Sequence, residues 1–142
     1  MDIKSDTQAQ YEIQRATALL VSLLDAAGDG CHVLVAAASV NEGLVANAPF
    51  HNRGEMVDLD PNDALEVMTL LILAASVGGG VVLRTNLTDG TSRVRGWRLV
   101  GFCAEPLDAA EIFTAYCTDA VTGEAIAPEP DVQYVAAPRL KV

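Results

Sequence analysis

The sequence predicts an α+β domain, a mixed or antiparallel sheet packed in two layers by about three helices, with an extended C-terminal arm. Three observations lead there. Apolar residues recur at spacings of three and four in residues 7–27 and 109–118, and residues 64–75 are apolar almost all round. Short apolar runs bounded by Gly, Pro, Asn and Asp lie between those stretches. Residues 119–142 instead carry Pro128, Pro130 and Pro138 and read as extended chain. With 142 residues there is room for one domain with a real core, placed at residues 1–118, and for the arm at 119–142.

In the first helix Ile13, Ala16, Leu20, Leu23 and Ala27 form a stripe that Leu19 and Leu24 widen, and Gly28-Asp29-Gly30 stops it. Residues 32–38 (HVLVAAA) read as a strand covered on both sides. A short strand at 44–50 contains Pro49, which suits a sheet edge. The second helix is well signalled: Asp60 can cap it, Pro61 suits its first position, and Asp63 stands three after the cap. Between residues 64 and 75 only Glu66 and Thr69 are polar, so this helix either is central or turns part of its surface to another subunit. Leu65, Met68, Leu71, Ile72 and Ala75 are its expected buried set. Gly78-Gly79-Gly80 ends the helix and leads into a strand at 80–85. An Asp89-Gly90 turn then precedes a long partner strand at 93–103, whose core face the alternation leaves open. Asp108 and Glu111 are spaced for a capping box on the third helix, with Ala109, Ile112, Phe113 and Tyr116 on one face. The arm holds one expected strand, at 132–136.

Composition narrows the functions. Nine Lys and Arg stand against 19 Asp and Glu, a net charge of −10, which disfavours direct contact with nucleic acid or an anionic membrane surface. Residues 67–83 carry no charge, but they include the three glycines, and a buried helix, turn and strand is the expected reading rather than a membrane span. Cys31, Cys103 and Cys117 have unrelated spacings, so free thiols in a reducing compartment are expected. The opening MDIKSDTQAQYE lacks the basic start and apolar run of a secretory signal. The expected location is the cytoplasm, or a particle assembled in it.

Catalytic and ligand signatures are weak. The glycines at 78–80 follow a helix instead of opening one, with no Lys-Ser or Lys-Thr after them, so they form no phosphate loop. Cys31 and His32 are adjacent and would point to opposite faces of a strand, which argues against a zinc site with His51. His51 with Glu55 or Asp58 resembles a base and its orienting group, without a nucleophile turn. Glu55, Asp58, Asp60, Asp63 and Glu66 lack the spacing of a calcium loop. No catalytic residue, cofactor or metal ligand is expected.

One local likeness exists. Residues 57–90, with LEVMTLLILAASVGG and then VVLRTNLTDG, resemble the helix-and-strand region of the phosphocarrier domain of the bacterial sugar phosphotransferase system, over about a quarter of the chain. Those carriers have a histidine in a GLHARPA-like motif. Here NEGLVANAPF puts Val45 where the histidine would fall and Ala48 where the arginine would fall, so the resemblance implies no phosphorylation chemistry.

The charge map is the best functional clue. Residues 84–98 hold four arginines and one acid, whereas residues 99–138 hold seven acids and no base. Arg93, Arg95 and Arg98 can meet Glu124, Glu129 and Asp131 of the arm, while Val132, Tyr134 and Val135 give the arm something apolar to dock. That contact forms either within a subunit or between one copy and the next. The expected function is therefore a non-enzymatic, self-assembling structural or adaptor protein, a virion component being one concrete form, with copies of itself or other protein subunits as partners. Two alternatives stand beside it. One is a small ligand-binding or group-transfer domain, marked by an enclosed pocket near His51 or the 78–80 glycines. The other is an acidic protein that fills the basic groove of a partner.

Overall fold

The computed structural model describes residues 3–27, 31–36, 48–51, 61–117 and 131–140. In chain order the elements are α1 (Ile3–Ala27), β1 (Cys31–Ala36), β2 (Ala48–His51), α2 (Pro61–Val77), β3 (Gly80–Asn86), β4 (Ser92–Val100), β5 (Cys103–Pro106), α3 (Ala109–Tyr116) and β6 (Val132–Tyr134). The sheet runs β2-β1-β3-β4-β5 with antiparallel neighbours, and β6 joins β4 in parallel. The expected α+β class holds, with α1 and α2 layered on one face of the sheet. β2 is the edge strand, as Pro49 requires.

Alternation sorts the core. Val33, Val35, Val81, Leu83, Trp97 and Leu99 point at the α1–α2 layer and pack with Leu19, Leu23, Val67, Leu71 and Ala74. Val82 and Val94 point the other way, where Leu107 and Ile112 cover them together with Tyr116, Val132 and Tyr134. α3 therefore lies across the sheet from α1 and α2. It closes on the strand at Gly96, where an added Cβ would sit 3.2 Å from Ile112 Cγ1 and 3.4 Å from Leu107 Cδ1. The core face of β4, undecided in the sequence, is thus the Trp97–Leu99 face towards the larger helical layer, with a smaller core behind it.

Local signals explain the element ends. Gly78 adopts a φ of 71°, and the Gly79 amide donates to the Ala74 carbonyl at 2.8 Å, which satisfies one of the last carbonyls of α2. The capping box of α3 forms as expected: the Glu111 amide donates to Asp108 Oδ1 at 2.8 Å, and the Asp108 amide to Glu111 Oε1 at 3.3 Å. In the Asp89-Gly90 turn the Thr91 hydroxyl and amide both donate to Asp89 Oδ1, at 2.6 and 2.9 Å. Those two bonds hold the Asp89 carboxyl below its ordinary value, the hydroxyl contributing most.

Two expectations need correction. Residues 93–103 are not one strand: the chain reverses at Gly101-Phe102, and β5 returns along β4 with Val100 opposite Cys103. The reversal uses a φ of 59° at Gly101, which glycine adopts without steric cost. On α2 the buried residues are Val67, Leu71 and Ala74, while Met68, Ile72 and Ala75 are half-buried and Leu65 is 64% exposed. A helix that is apolar nearly all round does not select its own inner face. The sheet selected it.

Candidate functional site

The described part of the arm lies within its own chain against β4, the strand that carries Arg93, Arg95 and Arg98. β6 pairs with the first half of β4, with Arg93 opposite Gln133 and Val94 opposite Tyr134. Val132 and Tyr134 are half-buried against Val94 and Ile112. The Tyr134 ring meets Phe113 edge-on at 5.1 Å, and its hydroxyl lies 3.3 Å from the Cys117 sulfur. Past β6 the arm crosses to the α1–α2 side. The Ala137 amide donates to the Leu107 carbonyl at 3.2 Å, and the buried Trp97 donates its Nε1 proton to the Pro138 carbonyl at 2.8 Å. Ala137 and Leu140 then pack against the main core.

Each arginine of β4 is placed by its strand position. Arg95 shares the Trp97 face and donates from Nη1 to the Ala26 carbonyl at 3.3 Å, where the last carbonyls of α1 lack helical partners and favour a cation. Burial, and then Arg93, lower its affinity for a proton without discharging it at neutral pH. Arg98 lies on the opposite face and pairs with Glu111 of α3 at 3.5 Å, a half-exposed contact worth about 0–1 kcal/mol. Arg93 is half-buried, Asp131 is exposed, and Val135 is 36% exposed. Glu124 and Glu129 lie outside the described residues, as does the His51–Glu55–Asp58 grouping apart from the His51 backbone.

A surface that the sequence only hinted at is the outer side of the α1–α2 layer. On α2, Leu65, Thr69, Leu73 and Val77 follow one another at steps of four and are all exposed, opposite the buried Val67, Leu71 and Ala74. An open groove of about 370 Å³ runs beside this ridge between Asn62, Leu65, Glu66, Thr69 and Leu70. On α1 every exposed residue between positions 7 and 21 is uncharged, among them Tyr11, Ile13 and Val21. Glu12 and Arg15 in that stretch are half-buried. Between positions 65 and 77 of α2 the one exposed charge is Glu66. Thr17 of α1 sits at the seam, with its hydroxyl 3.8 Å from the Met68 sulfur. On a chain of net charge −10, this face is nearly neutral.

Among the described residues no three His, Cys, Asp or Glu side chains converge as a metal site would require. No helix among them is long and apolar enough to cross a membrane. Of the cysteines whose side chains are described, Cys103 is free and exposed and Cys117 is free and buried. Against family models, curated proteins and solved structures the chain finds no match, so the likeness of residues 57–90 to the phosphocarrier domain gains no support and the reading of function rests on the geometry alone.

Proposed function

We propose that this is a non-enzymatic, self-assembling structural or adaptor protein whose copies meet through the outer face of the α1–α2 layer. One observation carries the reading: a helical face that is almost uncharged among its described residues, and that exposes Tyr11, Ile13, Val21, Leu65, Leu73 and Val77, on an otherwise strongly acidic molecule. Two copies bearing −10 each repel, and they approach at least cost where the local charge is lowest. The same patch on both copies makes the contact isologous, with a two-fold axis across the layer.

The arm strand, Arg95 and Arg98 make their contacts within the chain, so in this reading the helical layer supplies the contact between copies. A particle component assembled in the cytoplasm, including a virion component, is a concrete form of this function.

Native mass measurement over a range of concentrations tests it. The expected result is an oligomer that strengthens as salt screens the net charge, and that falls to monomer in a Leu65→Glu/Leu73→Glu variant with an unchanged circular dichroism spectrum. A wild-type protein that stays monomeric at about 100 μM, well above the micromolar affinities of specific interfaces, refutes the reading. So does a double variant of undiminished mass.

A further inference from the structure

We infer that the outer edge of β4 is a strand-exchange site, which takes the C-terminal arm of a second copy in place of the chain's own. The exchange is independent of the helical face and adds a second way for copies to join. Among the described strands β6 pairs with β4 alone, so the arm lifts off without breaking another ladder. At its ends the strand is tied down by the Ser92 amide, which donates to the Asp131 carbonyl at 2.9 Å, and by the Val135 amide, which donates to the Val94 carbonyl at 3.1 Å. From 131 to 140 every residue is half-buried or exposed. The seat is of the opposite kind. Val94 and Trp97 are fully buried and Leu107 nearly so.

With the arm lifted, Trp97 Nε1 loses the Pro138 carbonyl, the Ser92 amide loses the Asp131 carbonyl, and Val94 loses its cover from Val132 and Tyr134. Unpaired donors in a core are costly, so the seat refills with a strand that offers the same carbonyls and the same inward Val and Tyr. A second copy carries that strand residue for residue, and exchange remakes every contact it breaks. The tether lets either copy supply it. Residues 118–130 join α3 to β6, and 13 residues reach at most about 43–47 Å. The ends they join are in contact, with the Cys117 sulfur 3.3 Å from the Tyr134 hydroxyl. A connection of that reach spans to the β4 edge of a neighbour as well as to its own. It holds its own arm at an effective concentration of about 1 mM, so at micromolar concentrations each chain keeps its arm. Exchange competes once copies are concentrated to about 1 mM, as in a packed particle.

Disulfide trapping in the full-length protein, with the exposed Cys103 changed to Ser, tests the exchange. Arg93 and Gln133 are register partners across β4 and β6, the first half-buried and the second exposed, so cysteines there stand within bonding reach. Gln133→Cys in one copy is mixed with Arg93→Cys in another, incubated to constant yield and oxidised, and the 93–133 bond is mapped by mass. At about 1 mM, about a tenth or more of the chains are expected to carry that bond between copies, falling roughly in proportion on dilution to about 10 μM. Thr88→Cys, on the exposed turn, takes the place of Arg93→Cys as the collision control and is expected to give at least about tenfold less. Arg93→Cys/Gln133→Cys in one chain is expected to close within itself at about 10 μM. A yield at about 1 mM no greater than the collision control, or a double-cysteine chain that does not close, overturns the exchange. So does a bond that disappears in the Leu65→Glu/Leu73→Glu background, since it then belongs to the helical-face contact. That background disables the helical face, so failure of the exchange and failure of the helical-face reading are told apart.

Discussion

Replacing Tyr134 with alanine isolates the side chain that holds the arm in the sheet, because β6 keeps its backbone pairing while the packing behind it goes. The ring is half-buried on Val94 and Ile112, meets Phe113 edge-on at 5.1 Å and tilts against Tyr116 at 6.0 Å. Truncating a fully buried aromatic costs about 3–5 kcal/mol, so a half-buried one costs about 1.5–2.5 kcal/mol. The edge-on pair with Phe113 adds about 0.5–1.5 kcal/mol. The expected loss is therefore about 2–4 kcal/mol, a large share of the ~5–15 kcal/mol that holds such a domain together. At about 3 °C per kcal/mol for a chain of this size, the melting temperature falls by about 6–12 °C. Urea unfolding followed by the emission of Trp97, the only tryptophan, measures it, and Tyr134→Phe serves as the control that removes the hydroxyl and keeps the ring. Because these contacts lie within one chain, the loss is expected to be the same across a hundredfold range of protein concentration. A change below about 0.5 kcal/mol, the size of an ordinary surface substitution, refutes the packing. A loss that grows on dilution refutes the assignment of the arm to its own subunit.

Three further outcomes follow from the geometry. Leu71→Ala is expected to cost about 2–5 kcal/mol and Leu73→Ala less than about 0.5 kcal/mol when each is made in the monomeric single variant Leu65→Glu, since the first side chain is fully buried and the second is half exposed; equal losses in chemical denaturation would refute the orientation of α2. Alkylation mapped by mass is expected to modify the exposed Cys103 quickly and the buried Cys117 only after unfolding, and comparable rates at both would contradict the placement of α3. Asp89 is expected to titrate below its ordinary value of 3.8, because Thr91 bonds its ionised form. The support this lends the turn is present above the ordinary aspartate range and is lost as pH falls through the lowered value. A carboxyl-carbon NMR titration checks it, and Thr91→Ala should return the midpoint towards 3.8; an unmoved midpoint counts against the bond.

Much of the architecture was legible along the chain because its signals are local. Pro49 consigns β2 to an edge through its missing N–H. Asp108 and Glu111 announce a helix start through the amides they satisfy, and Gly78 a helix end through a backbone conformation few other residues tolerate. The phase of α2 and the faces of β4 are of another kind. Leu65 and Leu71 are the same residue six positions apart on a helix apolar nearly all round, and only docking against the sheet makes one 64% exposed and the other fully buried. The hairpin at Gly101-Phe102 went unread because a single glycine in an apolar run signals a turn weakly, and the pairing of β5 with β4 supplies the stabilisation. Of the candidate site, the sequence alone separated the arginines from the acidic arm and marked α2 as a helix with apolar surface to spare. That the arm lies on its own sheet, that Arg95 closes the end of α1, and that Trp97 meets Pro138 depends on parallel pairing, strand register and helix placement across the sheet. Residues as far apart as positions 97 and 138 meet only when the whole core closes, and no local pattern encodes that contact.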